Sequence, residues 1–413
     1  MIMTATLQIV TPLFLGGARQ EAEELFRLAS LKGALRFWWR AAEYPERFER
    51  AVRGGAGRDR AAALALATVR RDETALFGST ATGQSRVLMR LEPRRTPLAR
   101  LPVGETLKEG DGRTLVGPGA RYLGYGLMGA YGATMGKLER SCLRHGACVQ
   151  VSFRFRRGAD VASFRRALIL FGLVGGLGSR ARRGWGSLAL VKLTEGETGT
   201  TVWEPPATAA DYTAALRAAV PTGLKHGDPL PPFTAFGPDT RIETLDCDGD
   251  PLATLDRMGR AMQRYRAWGH KGMVNNEPSE RNFKDDHDWS KEPFSRTFAG
   301  FVPQRAVFGL PQNYGRNFSI APAVPRMDRR GSPLFLHVHP LAGGLFLGVA
   351  LIVPAVFLPG GEDKVAVSQN SRTDIRRARI DWRVLAGYLD GPVKEDQRKR
   401  LGAYFPRRER VLP

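Results

Sequence analysis

An apolar run at helical spacing, Val161–Val174, opens without a break into Gly175-Gly176-Leu177-Gly178-Ser179-Arg180-Ala181-Arg182-Arg183-Gly184-Trp185-Gly186-Ser187. A strand-like stretch, Ser187–Leu193, follows at once. A nucleotide-binding turn has the opposite order, with its glycines after a strand and before a helix. No Gly-Lys-Ser/Thr closes the segment, so it is not a P-loop. ATP and NAD are therefore poorly supported, and no cofactor is expected. What the segment does supply is five glycines and three arginines. Glycine permits positive φ and close approach of another chain. Free N–H groups in a turn form an anion-binding concavity, and arginine adds bidentate phosphate contacts. Trp185 reads as exposed, a flat surface for a base. The predicted ligand is single-stranded nucleic acid, met by Gly176, Gly178, Arg180, Arg182, Arg183, Gly184, Trp185 and Gly186. The plainer reading is a tight helix-to-strand connection with surface arginines, although five glycines exceed what one turn needs.

Upstream, residues 4–12 alternate as a strand, and Ser30 is positioned to cap a helix from Leu31 to about Glu43. Residues 46–76 are expected to be helical in part. Ser85–Leu91 and Cys148–Phe155 alternate as strands, separated by a long Gly-, Pro- and Arg-rich insertion at 93–136. The order β, α, β, β, α, β is the split βαβ, or ferredoxin-like, arrangement. Trp203-Glu204-Pro205-Pro206 reads as a linker, giving units 1–203 and 207–413. In the second half, helices are expected near 208–219, 254–267, 380–390 and 394–402. Strands are expected at 334–341 and 345–353, and a polar loop at 270–300. A diverged second copy of the first unit fits this order. Leu341–Leu358 is uncharged, but Gly343-Gly344 and Pro354 interrupt it, so it reads as buried strands and not as a membrane span.

The chain has 413 residues, with 62 Lys+Arg against 41 Asp+Glu and a net charge of +21. Such an excess attracts polyanions, though a generally arginine-rich surface would give the same number. Cys142, Cys148 and Cys247 form no CxxC, which fits a reducing cytoplasm. The N-terminus has no basic region of the signal-peptide kind. Within Ser30–Arg40, Lys32, Arg36 and Arg40 recur every four residues and line one helix face. They read as a rail beside a phosphate backbone or as a plain solvated face. Arg329 and Arg330, near Arg326, Gly331 and Ser332, form a second candidate surface. Asp285-Asp286-His287-Asp288 reads as a solvated acidic loop, so no metal site is expected. His337 and His339 share one face of a strand and suit packing. His145 is a weak candidate for a general base in RNA cleavage.

Several motifs together resemble a known family. Thr11-Pro12-Leu13-Phe14-Leu15-Gly16-Gly17, Ser30-Leu31-Lys32-Gly33-Ala34-Leu35-Arg36-Phe37-Trp38-Trp39-Arg40, Ala75-Leu76-Phe77-Gly78-Ser79 and Gly176–Gly186 resemble the RAMP superfamily. Within it, the Ser30–Arg40 run, Phe308-Gly309-Leu310-Pro311 and Arg330-Gly331-Ser332-Pro333-Leu334 resemble the first-numbered Cmr subunits of type III-B CRISPR effectors. The resemblance implies an α+β chain of two tandem ferredoxin-like (βαββαβ) RAMP domains with insertions. It implies a non-catalytic role in antiviral defence near the 3′ part of the guide RNA, contacting that region of the guide RNA (crRNA), target RNA or both, and neighbouring Cmr subunits. The alternatives are a metal-independent CRISPR endoribonuclease and a structural adaptor that binds only other subunits.

Overall fold

Alternation from Ile2 to Ile9 puts Met3, Ala5, Leu7 and Ile9 on one face, all fully buried. This strand, β1, is the centre of the first sheet. Pro12 cannot donate to a ladder, and the chain leaves the sheet before it. Val10–Leu15 runs irregularly instead of extending the strand. The computed structural model describes the chain except residues 17–25, 82, 95, 275–276, 315–317, 361, 392, 395–398, 401–403 and 413; for 393–394 and 399–400 it describes the backbone alone. Gly17 of the first motif and Arg398 of the basic tail thus lie outside the described residues.

Two long helices follow, α1 (Leu28–Arg53) and α2 (Arg58–Phe77). The first passes through Pro45 and runs ten residues beyond the expected end near Glu43. Proline removes the amide that would serve the carbonyl four residues back. That carbonyl, on Ala41, instead accepts the Phe236 N–H at 3.1 Å. Strand β2 (Val87–Leu91), the insertion helix α3 (Pro118–Leu123), β3 (Cys148–Phe155), α4 (Val161–Val174), β4 (Leu188–Glu195) and β5 (Thr200–Trp203) complete the first half. Asp160 caps α4 by accepting the Ser163 N–H at 3.1 Å. The sheet order is β2-β3-β1-β4-β5, antiparallel throughout.

The second half holds α5 (Ala209–Ala219), β6 (Arg241–Asp248), α6 (Pro251–Arg266) and α7 (Lys284–Lys291), then β7 (Gln312–Tyr314) and β8 (Phe318–Pro322). Strands β9 (Leu334–Pro340), β10 (Phe346–Ile352), β11 (Lys364–Gln369) and β12 (Arg372–Arg377) follow, then α8 (Arg383–Asp390) and β13 (Glu409–Arg410). One sheet is ordered β9-β10-β6-β13 and another β7-β8-β11-β12. Counted within its own sheet, the first of these repeats the order second-third-first-fourth seen for β2-β3-β1-β4. The polar 270–300 stretch carries α7 and is not all loop. Gly391, at φ +81°, ends α8; of the helix expected at 394–402, Lys394 and Lys399–Arg400 are strand, Val393–Lys394 pairing with Lys399–Arg400, and the rest lies outside the described residues. Uncharged Leu341–Leu358 contains β10, and no helix among the described residues is long and apolar enough to cross a membrane.

The hydrophobic cores cross the expected boundary near 203–207. Trp38, Phe171 and Leu188 share a core with Phe335, Leu347 and Val349. Val10, Phe14 and Trp185 share another with Leu123, Leu255 and Leu336. The insertion is clamped to the second half by a glycine contact. A Cβ at Gly119 would lie 2.1 Å from the Asp256 carbonyl oxygen, and one at Gly259 would lie 2.0 Å from that of Gly119. Asp256 also accepts the Gly119 and Ala120 N–H groups, at 2.7 and 3.1 Å, at the start of α3.

Candidate nucleic-acid interface

The glycine–arginine loop lies on the seam between the two halves, and its backbone is already engaged there. Leu177 N–H donates to Gly186, Ser179 N–H to Phe14, and Gly186 N–H to Pro12. Arg183 N–H donates to Arg180 and Gly184 N–H to Ala181. Ser187 N–H meets the Thr11 hydroxyl at 2.9 Å, and that hydroxyl donates to the Gly184 carbonyl at 2.7 Å. On the other side, Leu336 N–H donates to the Arg182 carbonyl and Val338 N–H to the Ser187 hydroxyl, so the loop covers the edge strand β9. The expected nest of free amides is therefore corrected at these positions: the donors serve the protein.

The glycines follow the same logic. Gly178, Gly184 and Gly186 have positive φ, and Gly176 does not. A Cβ at Gly178 would sit 2.4 Å from the Phe14 oxygen, at Gly186 2.1 Å from the Leu177 oxygen, and at Gly184 2.6 Å from Leu255. At Gly176 it would lie 2.9 Å from the Gly186 oxygen. Their smallness admits the protein's own backbone. Trp185 is a second correction. It is fully buried, edge-on to Phe14 with centroids 5.6 Å apart, so no base can stack on it.

The arginine side chains behave differently. Arg182 donates to the Ser332 carbonyl at 2.6 Å and lies over the rings of Phe335 and Phe37, at 4.6 and 5.4 Å. A Cβ at Gly331 would lie 2.7 Å from its guanidinium, so that side chain packs directly over the Gly331 backbone. Arg180 has φ +63° and donates to the Tyr125 carbonyl at 2.6 and 3.0 Å. Burial pushes the pKa of Arg182 down to about 10, with Arg330 adding to the effect. Burial, then Arg266 and Arg180, push Arg183 down to about 10. Arg180 is lowered by burial, and Arg329 adds to it. No carboxylate offsets any of the three shifts. Arg266, at the end of α6, stacks over Phe308 at 4.2 Å with its Nε unpartnered. Arg183, Arg266, Phe308 and Leu334 line one small cleft. At about 10, Arg182 and Arg183 still stay protonated at neutral pH. The result is a cluster of poorly hydrated positive charge from both halves, with no neutralising carboxylate among the described residues.

The other predicted residues divide. Arg329 is exposed beside Arg180. Arg330 is buried and donates to the carbonyls of Phe357 at 2.6 Å and Gly331 at 3.0 Å, a brace and not a surface cation. Lys32, Arg36 and Arg40 do share a face of α1. However, Arg36 and Arg40 both donate to the Glu73 carboxylate at 2.8 Å, so two of the three charges are met within the fold. Lys32 opens onto a groove with Gly78, Ser79 and Thr80; partial burial, then Arg36, lower its pKa. His145 lines a separate cavity of about 450 Å³ with Lys108 and Arg144, and burial holds its pKa below the usual range. Asp285–Asp288 sits on α7, not in a loop, and Asp286 is buried as acceptor for Gln304, at 2.8 Å, and Arg305. No cluster of three or more metal-ligating side chains occurs among the described residues. Sequence reading missed Arg266, which only the fold brings to the loop. It also missed the tyrosines of the insertion. The interleaving of Tyr and Gly between Arg121 and Lys137 is the signal that could have found them.

Residues 6–103 match the RAMP superfamily model. That match covers the end of β1, then α1, α2 and β2, and it stops short of the loop. In three dimensions the chain is similar to apo Cmr1 from Pyrococcus furiosus, with TM-score 0.51 and 17% identity over 100% of this chain and 99% of that one. This likeness shows a shared fold. Two structures of type III-B Cmr-beta bound to cognate target RNA are also similar. One has TM-score 0.49 and 10% identity, covering 86% of this chain and 95% of that one. The other, with AMPPnP and in the presence of ssDNA, has TM-score 0.47 and 11% identity, covering 94% and 97%. No curated protein sequence matches the chain.

Proposed function

We propose that this protein is a non-catalytic, RNA-binding subunit of a type III-B CRISPR (Cmr) effector in the cytoplasm, contacting guide RNA, target RNA and neighbouring Cmr subunits. One observation carries the RNA reading: Arg180, Arg182, Arg183 and Arg266 converge on the seam without a carboxylate partner among the described residues. A desolvated guanidinium with no counter-charge gains most from an arriving phosphate, which replaces lost hydration and relieves mutual repulsion. The RAMP match and the Cmr1-like fold support the effector context. The equal strand orders of the two halves support a reading as two tandem ferredoxin-like domains, 1–203 and 207–413, joined by a shared core.

The test is fluorescence anisotropy with single-stranded RNA across a salt series. An Arg183→Ala/Arg266→Ala variant should bind more weakly, with a salt slope shallower by roughly 0.7 for each phosphate that is no longer neutralised. A folded double variant with unchanged affinity and slope overturns the reading. Cleavage of guide-precursor RNA that is insensitive to EDTA and abolished in His145→Ala would replace the non-catalytic role with the endoribonuclease one.

A further inference from the structure

The insertion presents apolar surface where the arginine cluster ends. Tyr125 is 68% exposed, and Tyr131 and Met135 on the same compact turn are 63% and 40% exposed. The turn is ordered by its own backbone: Leu127 N–H donates to Gly124 and Gly129 N–H to Lys137, at 2.8 and 2.9 Å. It is also held from below. A Cβ at Gly124 would lie 2.9 Å from the Trp185 indole nitrogen, so the buried tryptophan is the floor under the residue preceding Tyr125. From the side, Arg180 grips the Tyr125 carbonyl with two N–H groups. Arg180 adopts the left-handed conformation to do so, in a loop where neighbouring left-handed positions are glycine. Tyr122, on the same segment, faces Arg183 closely enough to act on its charge. An exposed aromatic side chain is thus carried on a backbone held in place beside these cations.

We infer that Tyr125 is a base-stacking residue for single-stranded RNA whose phosphates lie on the Arg180–Arg183–Arg266 cluster. The inference rests on the phosphate-binding role proposed above. An aromatic face beside a cationic track is the arrangement by which proteins hold single strands without reading sequence, because every base offers a π-face. In this arrangement Trp185 does not touch RNA; it positions the turn that does. Tyr125 is expected to favour unpaired bases over a duplex, whose bases are already stacked.

The experiment compares the full chain with Tyr125→Ala and Tyr125→Phe, binding a single-stranded oligoribonucleotide and an abasic ribose-phosphate chain of equal length. Tyr125→Ala should weaken oligoribonucleotide binding roughly five- to a hundred-fold. Tyr125→Phe should keep the affinity, and neither substitution should change the salt slope or binding of the abasic chain. A 2-aminopurine base in the oligoribonucleotide should lose fluorescence on binding wild type and not on binding Tyr125→Ala. Equal oligoribonucleotide affinity for wild type and Tyr125→Ala overturns the inference. Equal weakening on the abasic chain does so too, as does an effect confined to assembly with other proteins. If stacking fails and the phosphate role stands, Arg183→Ala/Arg266→Ala still flattens the salt slope while Tyr125→Ala does nothing. If both fail, neither variant moves affinity.

Discussion

Gly186 shows how one residue type can serve opposite purposes that sequence does not separate. Five glycines beside three arginines suggest backbone opened toward a ligand. The same glycines in the fold open the backbone toward itself. Gly186 has φ +66°, and any Cβ would fall 2.1 Å from the Leu177 oxygen. Gly186→Ala should therefore destabilise the protein by about 2–4 kcal/mol, from left-handed strain plus backbone displacement. Denaturant titration beside Arg183→Ala, which leaves the backbone untouched, makes the contrast measurable: the glycine variant should lose stability and the arginine variant mainly RNA affinity. Equal stability of Gly186→Ala and wild type would return the loop to the ligand-facing reading. Trp185 carries the same lesson. Its identity indicates a flat aromatic surface, but exposure is a property of what packs over it, here Phe14 and the insertion.

Elements are more legible in the sequence than their surroundings. Cys148–Phe155 and Val161–Val174 form with the expected boundaries, because alternation and helical spacing are local signals written in those residues. The helix end near Glu43 is not legible. The partner that lets α1 continue past Pro45 is the Phe236 amide, far along the chain. The basic face of α1 is legible as a face and only incompletely as a charge. Glu73 arrives from α2, where nothing in the sequence ties it to Arg36 and Arg40. Glu73→Gln should release both guanidinium groups beside Lys32. We expect tighter binding of single-stranded RNA with a salt slope steeper by roughly 0.7 for each further phosphate neutralised. We also expect a destabilisation of about 1–2 kcal/mol, discounted because both arginines are about one-third exposed. Unchanged RNA binding in Glu73→Gln would show that this face plays no part even when its charge is freed.

At the scale of the whole molecule, the two halves are held by a seam, and the seam contains a titratable pair. His337 and His339 on β9 are both buried, with Nε2 of one 3.4 Å from Nδ1 of the other. Tyr212 of α5 covers His339 with ring centroids 4.7 Å apart, and its hydroxyl donates to the Leu173 carbonyl of α4. The strand that carries them also accepts the glycine loop, so the pair lies where both halves meet. Burial pushes His337 down to about 3, and burial with the neighbouring imidazole pushes His339 well below its usual value. In the unfolded chain both titrate near 6.5. Between these values the unfolded state binds protons that the folded state refuses, so stability must fall as pH falls. The contribution is complete above about 6.5 and disappears progressively toward pH 3, on the order of 5 kcal/mol for His337 alone. Urea titrations at pH 7 and pH 4.5 should show this decline in wild type. A His337→Gln/His339→Gln variant, less stable at pH 7, should decline less over the same interval. Equal declines in the two proteins would mean that the imidazoles are protonated in the fold and that the seam is held by apolar contact and the loop's backbone bonds alone.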